Sequence, residues 1–180
     1  MNKILIIGNS GSGKTWLGKH LANTLQQEAI SLDSIVWEPG GYNKKRSQET
    51  VSAELHHLAN KEMWIVEGVF GALAETLLPY ADVLIFLDMP WDICKTSLLE
   101  RGSESAKQHD KVRAEQNFNA LIQWASEYDI RQSKNSHRFH LQIFTHFDKQ
   151  AFRFTDRSQV HEFLHTLQKD ARSIEQTSIE

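Results

Sequence analysis

The stretch LIIGNSGSGKTW, Leu5–Trp16, joins branched apolar residues to a glycine-rich turn and then to a lysine and a threonine. Gly8, Asn9, Ser10, Gly11, Ser12, Gly13, Lys14 and Thr15 satisfy the spacing G-x-x-x-x-G-K-[ST] of a phosphate-binding loop. Glycines at these positions let backbone N–H groups turn inward around phosphate oxygens. A helix opening near Gly13 adds the positive end of its dipole. Lys14 supplies a point charge to the β and γ phosphates, and Thr15 a hydroxyl to Mg²⁺. The motif therefore predicts binding of a nucleoside triphosphate with Mg²⁺. By itself it does not separate a kinase from any other user of that ligand.

Working outward, Lys3–Gly8 reads as a strand buried on both faces, as in a parallel sheet. Trp16, Leu17, Leu21 and Leu25 then recur at helical spacing. Residues 29–37, AISLDSIVW, predict a second strand ending near Leu32–Asp33, and residues 47–61 a helix capped by Ser47 or Thr50. Residues 63–70, MWIVEGVF, predict a third strand ending at Glu67–Gly68. Residues 81–90, ADVLIFLDMP, predict a fourth, stopped by Pro90, with a helix from Trp91 to Arg101. The polar stretch Gly102–Lys111 reads as a loop. Helical periodicity returns at Phe118, Leu121, Ile122 and Trp124 and again over residues 136–147. A fifth strand over 150–155 and an amphipathic helix over 158–171 close the pattern.

Strands alternating with helices predict an α/β fold: a five-stranded parallel sheet flanked by helices, in a single domain over residues 1–170 with a frayed tail over 171–180. Ligands of such sheets sit beyond the carboxyl ends of the strands. Gly8, Asp33, Glu67, Asp88 and Thr155–Asp156 all fall at predicted strand exits, so one edge should collect the polar groups.

Composition narrows the function. The net charge of −3 excludes a basic field for nucleic acid. Cys94 is the sole cysteine, so neither an internal disulfide nor a cysteine metal cage can form, which fits a reducing compartment. No apolar run approaches the length of a membrane span or a signal-peptide core, and a cytoplasmic protein with no membrane partner is expected.

With the loop at residue 8, LDSIVWEPG at 32–40, WIVEG at 64–68 and IFLDMP at 85–90, the chain resembles the adenylate kinase-like P-loop kinases, and most closely the small topology modulation proteins. The likeness runs from Lys3 to about Leu167. It implies the P-loop NTPase fold of nucleoside monophosphate kinase type, an acceptor-binding segment at about 33–62 and a lid at about 101–113. It also implies an ATP-dependent transfer to a small-molecule acceptor, by a monomer or homodimer. Relatives carry arginines between the third and fourth strands, where a phosphate-bearing acceptor is gripped. Here no arginine occurs between Arg46 and Arg101, which favours a hydroxyl acceptor over a nucleotide phosphate.

The remaining candidates take their roles from that frame. Glu67 faces the metal with Thr15, as a Walker-B-type carboxylate does. Asp33 orients the acceptor hydroxyl and helps remove its proton; the competing reading is a helix cap or turn residue. Asp88, before a proline, reads as a turn former. Trp37, Pro39, Gly40 and Tyr42 either line the acceptor pocket or plug a loop. Lys44–Arg46 read as a solvated charge cluster. Arg101, Arg113 and Arg131 flank or follow the lid segment, and at least one of them is expected to bring its cation to the transferring phosphoryl group. Arg157, with Arg153 and Thr155, surrounds the last strand exit, where related folds hold adenine. His137, His140 and His146 read as a solvated helix face rather than metal ligands. The alternative function is a nucleotide-dependent switch that hydrolyses ATP slowly.

Overall fold

The computed structural model describes residues 2–39, 44–103 and 111–177. Gly40 and Tyr42 of the expected acceptor segment, and residues 104–110 of the expected lid, lie outside the described residues.

Strands β1 (Lys3–Gly8), β2 (Ala29–Ser31), β3 (Trp64–Gly68), β4 (Val83–Leu87) and β5 (Gln150–Phe154) form one parallel sheet in the order β2-β3-β1-β4-β5. The loop-bearing strand β1 is central. Its registers place Ile6 opposite Glu67 and Gly8 opposite Leu87, so the ends of β3 and β4 flank the phosphate loop.

Alternation along β1 explains its unbroken apolar run. Leu5 and Ile7 enter one core with Trp64, Val66, Leu84 and Phe86. Ile4 and Ile6 enter the other with Ile65, Val83 and Ile85. Successive side chains point to opposite faces of a strand, and both faces are covered, so every position must be apolar. The first core is closed by α2 (Leu32–Val36), α3 (Gln48–Ala59), α4 (Gly71–Leu77) and α7 (His137–His146). The second is closed by α1 (Lys14–Leu25), α5 (Trp91–Arg101) and α8 (Arg157–Thr177). Helix α6 (Lys111–Ser126) packs beside α5. The Asp82 carboxylate ties the start of β1 to that of β4 by accepting from the backbone N–H groups of Asn2 and Lys3 at 3.1 and 2.9 Å.

Three elements differ from the sequence reading. Strand β2 stops at Ser31, whose Oγ accepts from Asp33 N (3.4 Å) and caps α2. Leu32, Ile35 and Val36 are buried at the i, i+3, i+4 spacing of a helix, a pattern that a short apolar run does not distinguish from a strand. Helix α4 has no counterpart among the elements expected from sequence. Its seven residues bury only Gly71, Ala74 and Leu77, too short a signal to stand out. Helix α8 runs to Thr177, through most of the segment expected to fray.

Candidate active site

Gly11 and Gly13 sit at φ 81° and 98°, in the left-handed region open to glycine, which lets the loop fold back on itself. At Gly11 a Cβ would also fall 2.3 Å from the carbonyl oxygen of Cys94, so the loop is seated directly on α5. Gly13 precedes α1 without any side-chain cap, leaving the first N–H groups of that helix for a ligand.

Lys14 is 8% exposed, and its Nζ donates to the carbonyl oxygen of Asn9 across the loop at 2.7 Å. Burial pushes its pKa below the ordinary lysine value, while the charges of Glu67 and Asp33 pull it up. Asn9 is 3% exposed; its Nδ2 donates to the carbonyl oxygen of Ala125 at 2.9 Å, and its Oδ1 accepts from Ser10 N at 2.8 Å. The loop is thereby anchored to the last turn of α6, 116 residues away in sequence.

Thr15 Oγ1 donates to Glu67 Oε1 at 2.9 Å, and Glu67 is 4% exposed. The two residues expected to serve Mg²⁺ therefore meet, Thr15 from the first turn of α1 and Glu67 from the end of β3. No group of three or more His, Cys, Asp or Glu side chains that could hold a metal occurs among the described residues. Mg²⁺ needs no such cage: it keeps several waters and takes one or two protein oxygens together with substrate phosphates. A threonine hydroxyl beside a carboxylate at a phosphate loop fits that requirement.

Asp33 lies in the first turn of α2, two residues past the end of β2 rather than at the strand exit itself. Burial raises its pKa above the ordinary carboxylate range, the Lys14 charge opposes this, and the Glu67 charge adds to it. Arg101, in the last turn of α5, acts on both Lys14 and Asp33 and so belongs to the same field. The charges of Asp33, Glu67 and Arg101 thus all act on Lys14, so the four groups share one electrostatic field at the loop.

The other arginines have separate surroundings. Arg113 is exposed near the start of α6. Arg131 stacks its guanidinium 3.7 Å over the Trp124 ring and donates to the carbonyl oxygens of Trp124 and Asn135 (2.5 Å to Asn135), a role that ties down the end of α6. Arg153 is bonded to the Asp88 carboxylate through Nε and Nη2 (2.8 and 2.5 Å), and His137 Nε2 meets the other Asp88 oxygen at 2.9 Å. Asp88 is thus a structural hub joining β4, β5 and α7. Arg46 pairs with Glu54 of α3. Arg157 donates to Ser97 Oγ and lines a cavity of about 140 Å³ with Ser12, Trp16 and His161.

The histidines correct the expectation of a solvated face. His140 is fully buried, with Nδ1 2.5 Å from the Tyr128 hydroxyl, and burial pushes its pKa down to about 3. His137 is held by Asp88, and only His146 of the three is exposed. Helix α7 carries Phe139, Ile143 and Phe144 into the first core, and its first turns pack against Phe86 and Tyr128, which takes His137 and His140 inward with them.

No protein-family model matches the chain, and no curated protein does. The nearer kinship to the topology modulation proteins therefore gains no support. Among solved structures the chain is similar to a gluconokinase from Sinorhizobium meliloti 1021, at 17% identity over 98% of this chain and 97% of that one, TM-score 0.52. It is similar to shikimate kinase from Acinetobacter baumannii in complex with shikimate, at 15% identity over 99% and 93%, TM-score 0.51. It is also similar to shikimate kinase from Bacteroides thetaiotaomicron, at 19% identity over 92% and 95%, TM-score 0.51. The likeness is one of fold: a five-stranded parallel sheet flanked by helices.

Proposed function

We propose that this protein is an ATP-dependent phosphotransferase that moves the γ-phosphoryl group of Mg·ATP to a hydroxyl of a small molecule held between β2 and β3. The observation that carries the reading is the convergence of Lys14, the Thr15–Glu67 pair and Asp33 on one sheet edge. A loop that merely held nucleotide would have no use for a half-buried carboxylate in the field of its lysine.

Each residue has a task in that reading. The loop N–H groups and Lys14 hold the triphosphate and neutralise charge as the terminal phosphoryl leaves. Lys14 would exchange its contact with the Asn9 carbonyl for phosphate oxygens. Thr15 Oγ1 and Glu67 would hold Mg²⁺, Thr15 as the direct ligand and Glu67 as its support. When bound, the ion would supply positive charge to offset that of the phosphates. Asp33 accepts the acceptor's hydroxyl proton as the new O–P bond forms and the bond to the β-phosphate oxygen breaks. Its raised pKa suits a base that must take up a proton. Arg101 adds positive charge from the α5 side.

The neighbours named for shikimate and gluconate agree with a small hydroxylated acceptor. A screen with radiolabelled ATP across nucleosides, nucleotides and small polyols tests the reading. One class should accept label in wild-type protein and lose it in Lys14→Ala. Removing one preorganised charged contact should cost about 10²–10³-fold in rate. ATP turnover independent of every acceptor would overturn it.

A further inference from the structure

Helical periodicity groups Trp16 with the apolar face of α1, together with Leu17 and Leu21. Leu17 and Leu21 are fully buried; Trp16 is 41% exposed. Its ring lies with its centroid 3.9 Å from that of His20, one turn along α1, at 34° between planes. On another side it meets the His161 ring of α8 edge-on at 5.0 Å. Two side chains from two helices brace an indole that the core does not use.

The braced ring is one wall of the cavity of about 140 Å³ that opens beside the phosphate loop. Leu87, Met89 and Val160 form apolar lining, and Arg157 and His161 enter from α8. At the loop end stand Ser12 and Gly13. Ser12 is 2% exposed, and its hydroxyl has no hydrogen-bond partner. A buried hydroxyl left without a partner is costly, and this one belongs to the turn that leads into the N-terminus of α1, which has no side-chain cap. The cavity is therefore graded: polar and phosphate-binding at Ser12–Gly13, flat and apolar at Trp16, with a cation at the side. That sequence of surfaces matches a nucleoside attached to phosphates.

We propose that Trp16 is a nucleoside-binding residue, giving the donor's base and ribose an aromatic surface between the phosphate loop and α8. The proposal rests on the triphosphate reading of the loop and deepens it. Because His20 and His161 already fix the indole, little side-chain freedom is lost on binding. Stacking of this kind is tolerant of the base, since every base has a π face.

The test compares two probes by titration calorimetry in Mg²⁺: ATP, and inorganic tripolyphosphate, which has no nucleoside. Wild-type protein should bind both. Trp16→Ala should weaken ATP by about 5–150-fold, the range for one base–aromatic stack, and leave tripolyphosphate unchanged. Trp16→Phe should recover most of the ATP affinity. Unchanged ATP affinity in Trp16→Ala, or equal weakening of both probes, would overturn the proposal, the second outcome making Trp16 a support of the loop. Wild-type protein that binds neither probe, or Lys14→Ala that binds tripolyphosphate as well as wild type, would instead overturn the phosphate-loop reading beneath it.

Discussion

Thr15 Oγ1 and Glu67 Oε1 lie 2.9 Å apart, hydrogen-bonded between the first turn of α1 and the end of β3. The parallel register of β1 with β3 makes this contact, because it sets Glu67 beside Ile6 just before the loop begins. Fifty-two residues separate the two groups in the chain.

That pair predicts a shared dependence on Mg²⁺. Thr15→Val and Glu67→Gln should each raise the Mg²⁺ concentration needed for half-maximal turnover, by about 10–100-fold, the usual effect of altering a metal's supporting ligands. A Mg²⁺ titration of the steady-state rate checks this. Wild-type Mg²⁺ dependence in both variants would remove the pair from the metal site.

Asp33 predicts an acid limb. Its carboxyl is active as a base only when ionised, and its pKa is raised by burial, so kcat should fall as pH drops through that raised value. Asp33→Asn should lower kcat by about 10²–10⁴-fold, flatten that limb and leave ATP affinity nearly unchanged. The same shift has a stability consequence. The folded state holds the proton more tightly than the unfolded chain, so stability declines as pH rises from the unfolded value through the folded one. Asp33→Asn should therefore melt at a higher temperature than wild type at neutral pH, which differential scanning calorimetry would show.

His140 predicts the opposite slope. Its pKa falls from 6.5 to about 3 on burial, so the unfolded chain takes up a proton that the folded state refuses. The stability this provides is complete above pH 6.5 and is lost as pH falls toward 3, at up to about 1.4 kcal/mol per pH unit. Replacing the hydrogen-bonded pair together, as His140→Leu with Tyr128→Phe, avoids orphaning either partner. Urea titrations between pH 6.5 and 3 should show a shallower decline for the double variant than for wild type. Parallel curves would mean His140 is protonated in the fold.

Gly71 predicts a packing limit. A Cβ there would lie 1.9 Å from the carbonyl oxygen of Lys134, while Gly71 N donates to Asn135 Oδ1 at 3.0 Å. The connector between α6 and α7 is thus clamped onto the first turn of α4. Gly71→Ala should cost about 1–3 kcal/mol and lower Tm by several degrees. An unchanged Tm would show that the connector yields freely.

What the amino-acid sequence determined by itself was local. The phosphate loop, its glycines and the strand and helix on either side are set by short-range chemistry: backbone angles open to glycine, the period of apolar residues, and the lysine and threonine at fixed offsets. The alternation of strands and helices then made a parallel sheet the consistent architecture, and the five strands lie where that pattern put them, with β2 shortened. Glu67 stood out as an acidic residue closing an apolar strand, and its hydrogen bond from Thr15 came from the register of β1 with β3. The tertiary structure alone decided the surroundings of side chains whose partners are distant in sequence. Trp16 stays partly exposed, between the rings of His20 and His161 beside the α8 cavity. His140 is buried because Tyr128 and Phe86 receive it, and Arg131 is held because Trp124 lies beneath it. Asn9 anchors the loop through Ala125, and Gly71 must be glycine because Lys134 passes over it. Periodicity tells which face of an element is apolar. Which other element comes to meet that face, and whether it leaves a gap, depends on packing among segments that the local pattern does not relate.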